Sequence, residues 1–528
     1  MKLWQVVAVC VLLTLVSSCG KSKDQHKQTL RLNLHSEPPS LDPRKAQDTT
    51  SIAVVNMCFE GLTKQSQYGE PTLALAESVH VSEDGLRYTF RLRKAKWSDG
   101  VDLTADDFEE TWKAILDPAF PCAFAPDLFI LKNARAVKEK RASINDIGVD
   151  AVDAQTLVVD LEHPAPYFLE LLGTHAFLPT PFHIVRLFSD WADQAGEHFV
   201  SNGPFKLKEW RHYNQIVVEK NRNYWDQSKV KLDAIQLAII EDESTGLNMF
   251  ENDELDWAGH PLSALPIDAL QALSKKFDLN TRPISATYYY IFNTKVAPFD
   301  NISMRRAFSI AINRKEIVEN VTQGKQRPAT GIIPPTMWEN STVYFEDGDV
   351  KLARRHFKQA LKEMKIKKEQ LPRITLIYNT SEGHHRIAQA IQQQWKKTFG
   401  IEVELENREW KVFLDQISSH KFQVARMGGV ASFNDPSTFL DYYKSISSSN
   451  PTQWENKEFS DLIEKADHTV DPNVRLELLK KAERVLIDEM PIAPIYFYTG
   501  SYLKKASLKG VEFSEMGEVD FKSAYVEE

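Results

Sequence analysis

The chain has 528 residues, enough for two or three domains of ordinary size, and its 42% hydrophobic and 10% aromatic content can bury a substantial core. That composition excludes wholesale disorder. A formal net charge of −9 excludes a general nucleic-acid or anionic-membrane binder, since both need a basic footprint.

The first signal lies at the N-terminus. Lys2 precedes an apolar run from Val6 to Val16, too short to cross a bilayer comfortably but right for the apolar part of an export signal. Val16-Ser17-Ser18-Cys19 then resembles a bacterial lipobox, which implies cleavage before Cys19 and acylation of its thiol. An ordinary signal peptide or an uncleaved anchor is the alternative. Residues 19–28 are polar and read as a flexible tether. Cys10 leaves with the signal, so Cys58 and Cys122 remain, either as a disulfide or as two buried thiols.

Thr29 to Leu34 alternates like a half-buried strand, and a helical segment is expected over 51–62. Asp84-Gly85 predicts a tight turn followed by a strand with Tyr88, Phe90 and Leu92 on one face. Asp99-Gly100 predicts a second turn. Thr104 and Asp107 then open a helix in the manner of a capping box, with Phe108, Thr111, Trp112 and Ile115 at helical spacing. Further on, Asp300-Asn301 caps a helix expected over 302–321. A helix over 350–365 follows, then strand 374–378, helix 385–398, strand 401–405, helix 410–418 and strand 422–425. This alternation predicts an α/β lobe with mainly parallel pairing. The Gly428-Gly429 pair is expected to break the last strand, leaving an edge with bare backbone. Asn434-Asp435-Pro436 should start a helix with Asp at the cap and Pro at the first helical position. Helices over 456–468 and 472–489 close the lobe.

The segment 71–118 closely resembles the signature of the family 5 solute-binding proteins of ABC importers, the oligopeptide- and dipeptide-binding group. Its landmarks are Leu75-Ala76-Glu77, Ser82-Glu83-Asp84-Gly85, Lys96-Trp97-Ser98-Asp99-Gly100 and Leu103-Thr104-Ala105-Asp106-Asp107-Phe108. Later landmarks keep the family's order: Ser201 to Leu207 with Trp210, Asn221 to Trp225, Phe292-Asn293-Thr294, Pro298-Phe299-Asp300 and Arg305 to Phe308. The resemblance implies an α/β, two-lobed periplasmic-binding-protein fold of type II with mixed sheets and a hinge. It implies a first lobe from 29–50, 187–284 and 499–528, an extra domain over 51–186, and a second lobe over 285–498. The C-terminal tail would return to complete the sheet of the first lobe.

No serine-hydrolase elbow, zinc-protease helix, phosphate loop or dinucleotide turn is present, so no enzyme is expected. No cofactor or metal is expected either; the adjacent His384 and His385 point apart on any regular element. The resemblance implies a monomer that binds an oligopeptide or murein peptide and delivers it to ABC permease subunits. Carried over by position, Gly428 and Val430 would offer backbone bonds beside Gly429 and Asn434, and Arg426 would meet a ligand carboxylate. Trp410 would wall the cleft, His384 would touch the ligand's carboxyl end, and Glu37 would face its first residues. Two departures stand out. Ser432 occupies the position of the family's usual Asp, which pairs with the peptide's α-ammonium, and Gly429 replaces a Trp. Asp435 or Glu37 could supply the missing charge, the ligand could lack a free amine, or it could be a nickel chelate or haem. A secreted peptide or cell-wall hydrolase and an adhesin or chaperone on the same fold are the readings from other classes.

Overall fold

The structure, a computed structural model, describes residues 28–65, 71–122, 124–338, 343–444, 450–514 and 516–527. The export signal, Cys19 and most of the tether lie outside the described residues, as do the side chains of Trp410 and Lys411.

The first lobe is built on a four-stranded sheet in the order Thr29–Leu34, Ala234–Ile239, Gln215–Lys220, Phe205–Arg211. Leu30, Leu32 and Leu34 are fully buried, as their alternation requires. A second four-stranded sheet is antiparallel, in the order Ala76–Val81, Arg87–Leu92, Thr156–Asp160, Val149–Asp153. Gly85 makes its tight turn at φ 69°. Asp107 accepts the Thr104 backbone N–H at 2.9 Å and the Trp97 indole N–H at 3.1 Å, starting the helix Ala105–Leu116. One apolar core joins both sheets. Cys58 and Cys122 are free thiols within it and beside it, so the disulfide alternative does not hold.

The second lobe carries a mixed sheet in the order Trp257–Gly259, Ile492–Lys504, Asn280–Phe292, Val424–Val430, Ile374–Asn379, Val403–Arg408. Parallel pairing is confined to Ile374–Asn379 and its two neighbours; the rest is antiparallel, because the long strands Asn280–Phe292 and Ile492–Lys504 return beside each other. The sheet is covered on both faces. Tyr288, Tyr290 and Phe292 join a core with Phe308, Phe357 and Trp395, while Tyr289 and Ile291 join one with Phe439, Phe459 and Leu486.

Three expectations change. The helix foreseen over 302–321 is Ile302–Ile310, then Arg314–Ile317 and a π-type turn Val318–Thr322. Asn313 caps the second piece, and the fully buried Arg314 is turned inward to the carbonyls of Pro494, Ile312 and Ser309. The helix foreseen over 51–62 stops at Cys58, where Phe59 is extended and Gly203 donates its N–H to the Cys58 carbonyl. The C-terminal tail does not complete the first sheet. It forms the short pairs 508–509 with 525–526 and 512–513 with 519–520. Just before the first strand, the Gln28 side-chain amide bonds to Val526 at 2.8 and 2.9 Å.

The long strands Asn280–Phe292 and Ile492–Lys504 link the lobes. Their register slips between Pro283 opposite Thr499 and Thr287 opposite Phe497. Three residues, 284–286, there face the single residue 498, a bulge between the two ends of the ladder.

Candidate ligand-binding site

The strand Val424–Val430 pairs with Asn280–Phe292 over its whole length, but with Ile374–Asn379 only at Val424 and Ala425. An antiparallel ladder sends the N–H and C=O of alternate residues to opposite sides. Ala431 donates to Ser285 O and Asn293 to Gln423 O, so the odd-numbered residues face Asn280–Phe292. The backbone groups of Arg426, Gly428 and Val430 therefore face the other way, beyond the end of the parallel pairing. The strand is interior where it begins and an edge where it ends, rather than an edge throughout. Nor does the glycine pair break it: both lie inside the strand, and neither takes a positive φ. Space explains them. A β-carbon on Gly428 would sit 3.1 Å from Tyr498 Oη, and one on Gly429 would sit 3.3 Å from the Phe439 ring.

At one end of this edge Arg426 lies against tyrosines. Its Nη2 donates to Tyr498 Oη at 2.7 Å, its Nη1 reaches Asn379 Oδ1 at 3.4 Å, and its guanidinium stands 4.8 Å from the Tyr288 ring centre. Its Nε is buried without a partner, and the group forms no ion pair among the described residues. Arginine cannot shed its charge here, so the site holds a cation without an anion. His384 lies beside it, its Nδ1 3.3 Å from Tyr288 Oη. Burial and the Arg426 charge hold the His384 pKa down to about 3, so the ring is neutral at working pH.

At the other end the first lobe reaches across. Gln65 donates its side-chain N–H to Ser432 O at 3.2 Å, Tyr167 stacks on Phe433 at 4.9 Å, and Glu170 accepts the Asn434 N–H at 3.0 Å. A further contact joins the lobes elsewhere: Arg386 makes a bidentate pair with Asp268 at 2.7 and 3.0 Å.

Both acids expected to replace the missing Asp are already engaged. Asp435 holds the buried Arg475 through both oxygens and accepts the Ser437 N–H at 2.9 Å. It thereby acts as a cap, but Pro436 rather than Asp435 stands at the residue before the helix Ser437–Leu440. Glu37 accepts from Trp210 Nε1 at 2.9 Å, His212 Nδ1 at 2.7 Å and the Tyr213 N–H at 2.9 Å, which ties its turn to the strand Phe205–Arg211. Its carboxylate is thus spent within its own lobe. His384 and His385 have separate partners, Tyr288 and Tyr378, and no metal-type cluster of acids, His and Cys occurs among the described residues. Sequence reasoning missed Tyr288, Tyr498 and Asn379 at one end and Gln65, Tyr167 and Glu170 at the other. The runs Tyr288-Tyr289-Tyr290 and Tyr496-Phe497-Tyr498 were the only local signal for any of them.

A two-lobed fold with an open strand edge facing a cross-lobe contact defines a binding protein. The chain belongs to the bacterial extracellular solute-binding proteins, family 5, whose model matches residues 70–451. It is 43% identical over 541 aligned residues to the oligopeptide-binding protein OppA of Bacillus subtilis (strain 168), covering 99% of each chain. Its structure is similar to that of the Escherichia coli murein tripeptide binding protein MppA, with a TM-score of 0.83, 32% identity and coverage of 95% and 99%. It is likewise similar to Haemophilus influenzae OppA in complex with RPPGFSPFR, with a TM-score of 0.84, 28% identity and coverage of 95% and 99%.

Proposed function

We propose that this protein is the peptide-capturing component of an ABC importer. A short peptide adds as a strand along Arg426–Val430, between the lobes, and its carboxylate meets Arg426. The observation that carries this reading is the open edge ending at a half-buried guanidinium that has no anion among the described residues. Main-chain bonds to Arg426, Gly428 and Val430 are independent of sequence, so they suit a ligand defined by its backbone. His384 receives the carboxyl end as a neutral hydrogen-bonding partner. The relatives' ligands, oligopeptides and a murein tripeptide, support the same class.

In this reading 285–498 moves against 29–50, 187–284 and 499–528, with 51–186 riding on the latter. The bulge at 284–286 and 498 absorbs the rotation. The protein acts as a monomer without catalysis and hands its ligand to membrane permease subunits. It is exported and held by lipid at Cys19. Radiolabelled palmitate incorporated into the wild type but not into Cys19→Ala supports the anchor, and an unlabelled wild type refutes it.

Thermal melting with a mixed tri- to pentapeptide library tests the main claim. A ligand at 100 times its Kd adds about 2.7 kcal/mol of stability, a readily seen rise in melting temperature. No rise with any peptide at millimolar concentration overturns the reading.

A further inference from the structure

We infer that the cleft takes peptides whose amino end carries no charge, the ligand being anchored electrostatically by its carboxylate alone. This rests on the peptide reading above and narrows it. The outward-facing positions 426, 428 and 430 span about 13 Å, the length of four extended residues. One end of that span holds the unpaired Arg426 cation. The other end runs into 431–435, where the side chain offered at Ser432 is a hydroxyl.

The acids around that end are committed. Asp435 is locked to Arg475 and Ser437. Glu170 accepts the Asn434 N–H, and Glu37 serves Trp210, His212 and Tyr213. Asp441 is exposed, so water screens its charge. It is a weak counter-ion at neutral pH.

A neutral acceptor is available instead. The Gln65 amide that donates to Ser432 O has its own Oε1 buried without a partner. The first lobe closes over this end through Gln65 and the Tyr167–Phe433 stack, which keeps water away. An ammonium placed here would be buried without an opposite charge, a costly arrangement. An acylated nitrogen carries one neutral N–H, which Gln65 Oε1 can accept. The chemical class is therefore a short peptide with a free carboxylate and an amidated or otherwise acylated amino end. A peptide whose first nitrogen is joined to another acid or to a sugar acid has this form.

Calorimetry on the full chain tests it with a mixed tetrapeptide library in three forms: free, N-acetylated and C-amidated. Acetylation should raise affinity at least 10-fold, whereas amidation should lower it at least 10-fold. An affinity unchanged or lowered by acetylation overturns the inference while leaving the peptide reading intact. No heat from any form overturns the peptide reading itself. Ser432→Asp should gain at least 10-fold for free-amine peptides and leave the acetylated ones unchanged; equal affinities in wild type and variant count against the inference. Glu170→Gln, which touches the cross-lobe contact, should shift free and N-acetylated peptides by the same factor, and Asp441→Asn should shift neither. A tenfold loss in either variant, confined to free-amine peptides, would identify that acid as the counter-charge and overturn the inference.

Discussion

Replacing Arg426 by Met separates a binding role from a structural one. Met keeps most of the side chain's volume and removes the charge. In the empty protein Arg426 has one good hydrogen bond, to Tyr498, a long one to Asn379 and a ring contact with Tyr288. Each contributes about 1 kcal/mol. Against them stands the cost of holding a guanidinium with a buried, unpartnered Nε and no ion pair. Exchanging an unpaired, half-buried charge for apolar volume relieves that desolvation cost. The melting temperature of empty Arg426→Met should therefore equal or exceed that of the wild type. Binding should suffer, because a ligand carboxylate would lose a buried charged partner worth about 2–5 kcal/mol. That is a loss of about 30- to 5,000-fold in Kd, measured by calorimetry with any peptide the wild type binds. A destabilised variant that binds as before would refute the reasoning and make Arg426 a structural residue.

Other positions give independent checks. Asp435→Asn strands the buried Arg475 guanidinium and should cost about 3–5 kcal/mol in urea unfolding. Gly429→Ala places a methyl group 3.3 Å from the Phe439 ring, so it should destabilise the second lobe by about 1–3 kcal/mol, read from the same unfolding curves. Arg386→Ala removes the exposed pair with Asp268, worth about 0.2–1 kcal/mol. It should raise the ligand dissociation rate in stopped flow by at most about fivefold.

Glu483 predicts a pH effect. It is fully buried and accepts from the N–H groups of Ile332 and Ile333 and from Tyr344. Burial outweighs those bonds and pushes its pKa up to about 7, above the ordinary 4.5. The folded chain therefore holds this proton more tightly than the unfolded chain. The Glu483 contribution to stability is largest below pH 4.5 and falls as pH rises to about 7, by about 3 kcal/mol in all. The loss of stability between pH 5 and 8 should be smaller in Glu483→Gln than in wild type; equal slopes would contradict this.

Local pattern made much of the fold legible. Tyr88, Phe90 and Leu92 alternate, and all three are buried, because a two-residue period reads directly as strand faces. The Thr104–Asp107 start and the strand–helix order of 374–430 were legible for the same reason. What stayed hidden depends on distant partners. Glu37 is satisfied from 173 residues away and Asp435 from 40. Neither engagement leaves a local trace, so both residues look available in the sequence. The Arg314 burial that breaks the 302–321 helix is likewise a tertiary fact. The glycine pair was misread because its cause is the approach of Tyr498 and Phe439, not a turn. The open strand edge lies on the expected stretch, but the tyrosines around Arg426 and the cross-lobe contacts come from elsewhere in the chain.

The central claim is that a peptide completes the sheet along the open half of Val424–Val430. Residue-resolved amide hydrogen exchange, with and without a bound peptide, tests this most directly. The N–H groups of Met427 and Gly429 face Asn280–Phe292 and should be protected in both states. Those of Gly428 and Val430 should exchange quickly in the empty protein and slow sharply on binding. Protection elsewhere in the cleft, with Gly428 and Val430 unchanged, would contradict the account.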